Sequence, residues 1–210
     1  MTKVFVNIAL TLDGYMAPEG MTMSDPNHMG WGAKWGALMS WIIGQQAFRE
    51  ALNFGPGGET GPVNDHVRET FDRIGATSMG KRMFDQGEIA WPEEAPFHVP
   101  VFVLTHSRRE PWVRPGGTTF HFVNDGPARA LELARAAAGE RDVRIAGGAD
   151  VIQQYLTLDA VDELEIALAP VLFGGGRRLF ERIGDPGPRF RIARVLEGPA
   201  ATHLRYVRTP

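Results

Sequence analysis

The sequence predicts an α/β fold of three layers, with a central, mixed and mostly parallel sheet flanked by helices. Three observations carry that expectation. From residue 64 to about 168, short apolar runs alternate with segments of helical spacing, as strands joined by helical crossovers do. The first candidate strand, KVFVNIALTL at 3–12, is apolar on both faces, which suits a strand covered on both sides. The chain closes with FRIARVLEG and ATHLRYVRT, which read as an antiparallel hairpin added to the parallel part. A length of 210 residues suits one domain, 1–210, with a Met-, Trp- and Gly-rich insertion at about 20–63.

The elements follow in order. Asp13-Gly14 stops the first strand. Residues 16–63, which include the insertion, carry Met16, Met21, Met23, Met29 and Met39 with Trp31, Trp35 and Trp41. Within it, Trp35, Leu38, Met39, Ile42 and Ile43 are spaced for a helix over about 33–48. FGPGGETGP at 54–62 is a loop by composition, since its prolines interrupt any phosphate-cradling run and no GK[ST] follows. NDHVRETFDRIGA is an amphipathic helix, capped by Asn64 or Asp65 and ended by Gly75. ATSMG is a short strand and KRMFDQGEI opens a helix. VPVFVLTHS (99–107) and TTFHFVN (118–124) are strands. GPARALELARAAAG is a helix stopped by Gly139. DVRIAG is a strand and ADVIQQYLTL a helix. VDELEIALAPVLF is a long strand broken at Pro170, and GGGRRLFERI reads as a turn and short helix.

Composition removes several function classes. The net charge is −3 and no basic block stands out, so a nucleic-acid partner is not expected. With no cysteine there is no disulfide, thiolate nucleophile or cysteine zinc site. The six histidines, His28, His66, His98, His106, His121 and His203, show no HxxxH spacing, so no metal is expected. A serine hydrolase is disfavoured because GxSxG is absent. No signal peptide and no membrane-length apolar window is read, which makes a cytoplasmic protein the expectation.

Ligands of such sheets bind beyond the carboxyl ends of the strands. Three strand-to-helix junctions matter: SMGKRMF, LTHSRR and IAGGADV. At the third, Gly147 and Gly148 lead straight into a helix N-terminus, where amides and dipole favour a phosphate. A tight turn needing positive φ explains the pair equally well. The other junctions supply Gly80, Lys81 and Arg82, and Thr105, His106, Ser107, Arg108 and Arg109. Basic residues there suit a ligand with separated phosphates, such as a dinucleotide with a 2′-phosphate.

VNIALTLDGYMA, ATSMGKRMFD, VRIAGGADVIQQYL and VDELEIALAPVLFGGGRRLF occur in this order. Together they resemble the dihydrofolate reductase-like superfamily. The similar branch holds the C-terminal reductase domain of the riboflavin-biosynthesis deaminase-reductase and its stand-alone bacterial relatives. The resemblance implies that fold, an NADPH cofactor across the strand ends, and a homodimer. It also implies hydride transfer to a small heteroaromatic or carbonyl/imine substrate, related to 5-amino-6-(5-phosphoribosylamino)uracil reduction. Carried over by motif, Gly80, Lys81, Arg82 and Met83 lie under the adenosine phosphates. Thr105, His106, Ser107 and Arg108 flank the ribose and 2′-phosphate. Gly147, Gly148, Ala149, Asp150 and Val151 line the diphosphate.

Catalytic residues are harder to read. Asp13 is the catalytic candidate, either orienting substrate or organising its own loop, and Thr11 is a similar candidate. Trp41, with Trp31, Trp35, Met39 and Phe48, can wall a planar substrate or simply fill a core. Phe173 begins FGGGR, which either bends the chain near the nicotinamide or only turns it. The segment WGALMSWIIGQQAF has no acid to pair with a pterin's amino-pyrimidine edge, so dihydrofolate itself is not the expected substrate. The same gap leaves open an NADPH-binding protein without turnover, and if the glycines are only turns a structural dimeric module remains open too.

Overall fold

The computed structural model describes residues 2–22, 31–184 and 189–209. Met23, His28 and Met29, named above, lie outside the described residues. The chain runs β1 (Val4–Thr11), β2 (Tyr15–Pro18), α1 (Gly32–Ile43), α2 (Gln46–Ala51), α3 (Pro62–Asp72), β3 (Ile74–Gly80) and α4 (Lys81–Ala90). It continues through β4 (Pro100–Leu104), β5 (Trp112–Val113), β6 (Thr119–Val123), α5 (Gly126–Ala138), β7 (Asp142–Gly147) and α6 (Ala149–Thr157). It ends with β8 (Glu163–Ala169), β9 (Gly176–Arg178), β10 (Phe190–Glu197) and β11 (Thr202–Arg208).

Nine strands form one mixed sheet in the order β10-β11-β8-β1-β7-β3-β4-β6-β5. The six strands from β8 to β6 are parallel neighbours, while β11, β10 and β5 join antiparallel. Alternation along each strand sends side chains to opposite layers. On one face Val4, Val6, Ile8 and Leu10 of β1 pack with Ala130 and Leu131 of α5 and Ile152 and Tyr155 of α6. On the other, Ala9, Ala167 and Ala169 meet Leu38, Trp41 and Ile42 of α1 and Val67 of α3. Further along that face, Met79, Val101, Val103 and Phe120 pack with Phe84 of α4. Each large apolar side chain buried this way contributes about 1.5–3 kcal/mol.

Several local expectations change. The helix read over 33–48 breaks at Gly44, because Gln45 pairs with Glu59 and the backbone bonds Glu59 N–H to Gly44 O and Gln46 N–H to Glu59 O. Helix α3 starts at Pro62 rather than at a cap on Asn64 or Asp65, and the Asn64 carboxamide instead accepts the Ala47 amide of α2 at 2.7 Å. Gly75 does not end α3. It lies inside β3, where a Cβ would collide with the Ala138 carbonyl of α5. GGGRRLFERI forms no helix. Gly176–Arg178 is a strand paired with β2, and a Cβ on Gly176 would run into Ala17.

At β8, Glu163 and Glu165 are buried within an ion-pair network. Glu165 accepts from Arg73 at 3.1 Å, Arg205 at 2.8 Å, Thr70 at 3.1 Å and Asn7 at 3.3 Å. Glu163 binds Lys3 and Arg73. The network ties β1, β8, β11 and α3 together, and each buried carboxylate is matched.

Candidate functional site

A cleft of about 1350 Å³ opens at the carboxyl edge of the neighbouring strands β7, β3 and β4. Those strands are parallel, so their C-terminal junctions point the same way. The cleft is lined by Gly80, Lys81, Arg82 and Met83 from the first junction and by Thr105, His106 and Ser107 from the second. Gly148, Ala149, Asp150 and Val151 come from the third. Eleven of the thirteen residues expected to bind the cofactor thus share one wall. Gly147 and Arg108 do not line it.

Two helices start at this wall. N-cap residues Gly80 of α4 and Gly148 of α6 offer no side-chain cap. In α6 the Gly148 carbonyl takes the Val151 and Ile152 amides, and the amides ahead of them lie where a helix start favours an anion, as do those of α4. The two glycines of the pair have different reasons. Gly147 holds φ +123°, which an L side chain resists. Gly148 has φ −73° and an added Cβ there would meet no atom within 4 Å. Neither backbone nor packing demands glycine at 148, and what a side chain would fill is the cleft itself. At Gly80 a Cβ would meet Val151 Cγ2 at 2.8 Å, so glycine lets β3 and α6 close together.

Charges at the wall differ in availability. Lys81 is paired with Asp85, and Asp150 with Arg182. Arg109 is held by Glu88 and lies over the rings of Phe84, Trp112 and Phe122. Among the described residues, Arg82 and Arg177 line the cleft with no ion pair, and Arg177 escaped sequence reading because its segment resembled a helix. The 105–107 loop is fixed by Ser107 N–H to Thr105 Oγ1 at 3.0 Å and by Asn124, whose Nδ2 donates to Ser107 O at 2.9 Å. Met16, Met21, Glu19 and Trp35 complete the opposite wall.

The four residues expected to touch substrate are not on the cleft wall. Thr11 is fully buried, donates to Asp13 and accepts the Tyr15 amide at 2.9 Å. Asp13 accepts Phe173 N–H at 3.1 Å and Gly174 N–H at 2.7 Å. The Thr11 hydroxyl and those amides hold its carboxyl down at about 2. Asp13 therefore organises the loop after β1 against the turn after β8. Trp41 and Phe173 are buried in the core beneath α1, with Trp41 edge-on to His203 at 4.8 Å. No group of three or more metal-ligating side chains occurs among the described residues. A second, mainly apolar hollow of about 330 Å³ lies between α6, β8 and β11, with none of the glycine junctions in its lining.

Residues 2–204 match the model of the RibD C-terminal domain, and the chain belongs to that family. It is a family of riboflavin-pathway-like reductase domains with the dihydrofolate reductase-like fold. Over 87 residues the chain is 32% identical to the uncharacterized protein YwjB of Bacillus subtilis (strain 168), a match covering 41% of this chain and 49% of that protein. The chain thus spans about half the length of that relative. A riboflavin biosynthesis protein described as putative, from Shewanella sp. PV-4, superposes with TM-score 0.64 at 22% identity over 100% of both chains. Dihydrofolate reductase from Enterococcus faecalis, complexed with NADP(H), gives 0.57 at 16% identity over 99% of this chain and 97% of that one. The diaminohydroxyphosphoribosylaminopyrimidine deaminase/5-amino-6-(5-phosphoribosylamino)uracil reductase of Thermotoga maritima gives 0.60 at 16%, covering 99% of this chain and 57% of that one. At these identities the superpositions speak for the fold. No helix among the described residues is long and apolar enough to cross a membrane.

Proposed function

We propose that the protein is an NADPH-dependent reductase that transfers hydride to a small heteroaromatic or carbonyl/imine substrate, working as a homodimer. The observation that carries this reading is Gly148, a glycine whose missing side chain would stand in the cleft at the start of α6. The residues present suit a dinucleotide. The α6 and α4 N-termini would hold the diphosphate and neighbouring phosphate by their amides. Arg82, with His106 and Ser107 beside it, would take the 2′-phosphate. When bound, NADPH supplies the hydride. The chain's own part is to orient the reactants and exclude water. Met16, Met21 and Trp35 supply an apolar wall for that purpose.

Titration with NADPH and NADH, followed by nicotinamide fluorescence, tests the reading. NADPH binding tighter than NADH, lost in Gly148→Asp, is the expected result. Absence of binding by both dinucleotides overturns it. Binding without oxidation of NADPH across a panel of heteroaromatic and carbonyl substrates would make the protein a binder rather than an enzyme. Sedimentation velocity checks the dimer.

A further inference from the structure

Arg144 has no partner. It lies on β7, the fifth of nine strands, and neighbours Phe5 on β1 and Thr77 on β3 in register. No hydrogen bond or ion pair joins its guanidinium to any described residue, and its Nε is shielded from solvent without an acceptor. The carboxylate that attracts it, Glu165, makes no direct contact with it and is already taken by Arg73, Arg205, Thr70 and Asn7. Thr77, fully buried beside it, also has an unsatisfied hydroxyl. A shielded guanidinium Nε and a buried hydroxyl, both without acceptors at the middle of a sheet, are costly.

The same face is closed over Phe5 and Thr77 but not over every neighbour. Central parallel strands are normally covered on both sides. Yet Asn7 and Arg144, on adjacent strands at positions four and five, both remain partly exposed. Alternation places Arg144 on the face of Ala146, about 7 Å along the strand. Ala146 lines the cleft. Helices α1 to α3 cover the face over β1 and β8, and α4 covers it over β3 and β4. Arg144 stands where these two covers meet, beside the Phe5 cluster that Phe71 and Phe97 pack against, and one pleat repeat from the cleft.

We infer that Arg144, with Thr77 and Asn7 beside it, is the anchor for an oxyanion on the substrate. Guanidinium presents paired donors that fit a carboxylate or a phosphate ester equally. The threonine hydroxyl adds a further donor, and the anion supplies the counter-charge that the chain withholds. Burial lowers the Arg144 guanidinium to about 10, which leaves it cationic at neutral pH. Naming this ligand as the substrate rests on the reductase reading; the oxyanion site itself does not. The substrate would then have its anionic end on the sheet face and its reducible end in the cleft.

The test is a site-specific one. The shielded Arg144 Nε–H is followed by nitrogen-15 NMR, assigned by its loss in Arg144→Met. Acetate, orthophosphate and ribose 5-phosphate are titrated separately at low salt. A saturable shift of this resonance is expected. Response to acetate alone identifies a carboxylate, and response to either phosphate identifies a phosphate ester. Thr77→Val should weaken the responding anion about tenfold, or 1.4 kcal/mol. Arg144→Met should keep or raise Tm, because removing an uncompensated buried charge relieves a cost. A resonance indifferent to all three anions overturns the inference, as does a large fall in Tm for Arg144→Met, which would mean a structural role. NADPH titration of the same samples separates the two readings. An oxyanion response in a protein that binds no dinucleotide would leave the site and remove the reductase.

Discussion

Two regions on one sheet treat their polar groups in opposite ways. At the far end, around β8 and β11, Glu163, Glu165, Arg73, Arg205 and Lys3 use their charges on one another. At the cleft, two helix starts are uncapped, Arg82 and Arg177 are unpaired, and Gly148 leaves a vacancy where a side chain could stand. The first region is complete as folded. The second carries polar groups that the described residues leave unmatched. The difference separates residues that hold the fold from those available to a ligand, although both sets are polar and both lie on strands or at their ends.

Breaking the closed region should have the largest effect. Glu165→Ala removes the buried carboxylate that Arg73 and Arg205 share, leaving Arg73 only Glu163 and Asp142 and Arg205 only Glu69, and should cost about 3–5 kcal/mol, a drop in Tm of roughly 10 °C for a chain of this size. NADPH affinity of the folded fraction should be unchanged. Thermal denaturation paired with fluorescence titration checks both. A variant that loses affinity as strongly as stability would show that the two regions are not separable.

Gly148→Asp tests the open region and should do the reverse. It places a carboxylate where the phosphate would lie and should weaken NADPH about 100-fold, near 2.8 kcal/mol, with Tm little changed. Smaller again is Arg82→Ala. Losing one exposed phosphate contact should cost NADPH about 1 kcal/mol, or roughly fivefold, with NADH less affected. Arg108→Ala should change affinity less, because Arg108 does not line the cleft. Equal losses at both positions would move the 2′-phosphate outward along the 105–109 loop.

The layered α/β architecture was legible because it rests on local signals: periodicity, glycine stops and apolar runs. The three junctions were legible for the same reason, since a strand, a glycine and a helix start are contiguous in sequence. What escaped reading depends on partners far away in the chain. Asp13 looks like a turn residue or a catalytic acid until Phe173 and Gly174, some 160 residues on, are seen to donate to it. Strands β2 and β9 are short and only define each other by pairing. Arg144 sits in an ordinary apolar strand, and only the three-dimensional count of acceptors reveals that it has none. Trp41 has helical spacing that suits core and pocket alike, and packing against His203 decides for core.

The smallest effect sharpens the comparison through pH. His203 and His66 face each other at 5.2 Å under α1 and α3, buried on the closed side. Burial, the neighbouring His66 and Arg194 push His203 down to about 4, and burial lowers His66 as well, against the pull of Glu165. The folded state therefore takes up these protons less readily than the unfolded chain, whose histidines titrate near 6.5. The stability they contribute is fully present above pH 6.5 and is lost as pH falls toward 4. Asp13 acts in a separate, lower window. Its contribution is present above the unfolded value of 3.8 and is lost only as pH falls toward 2. Urea midpoints should thus decline from pH 7 to pH 4 in the native protein and decline less in His203→Phe. Asp13→Asn should leave that slope alone and flatten only the segment below pH 4. A slope between pH 7 and 4 that survives His203→Phe would remove His203 as its source and leave His66 to carry it.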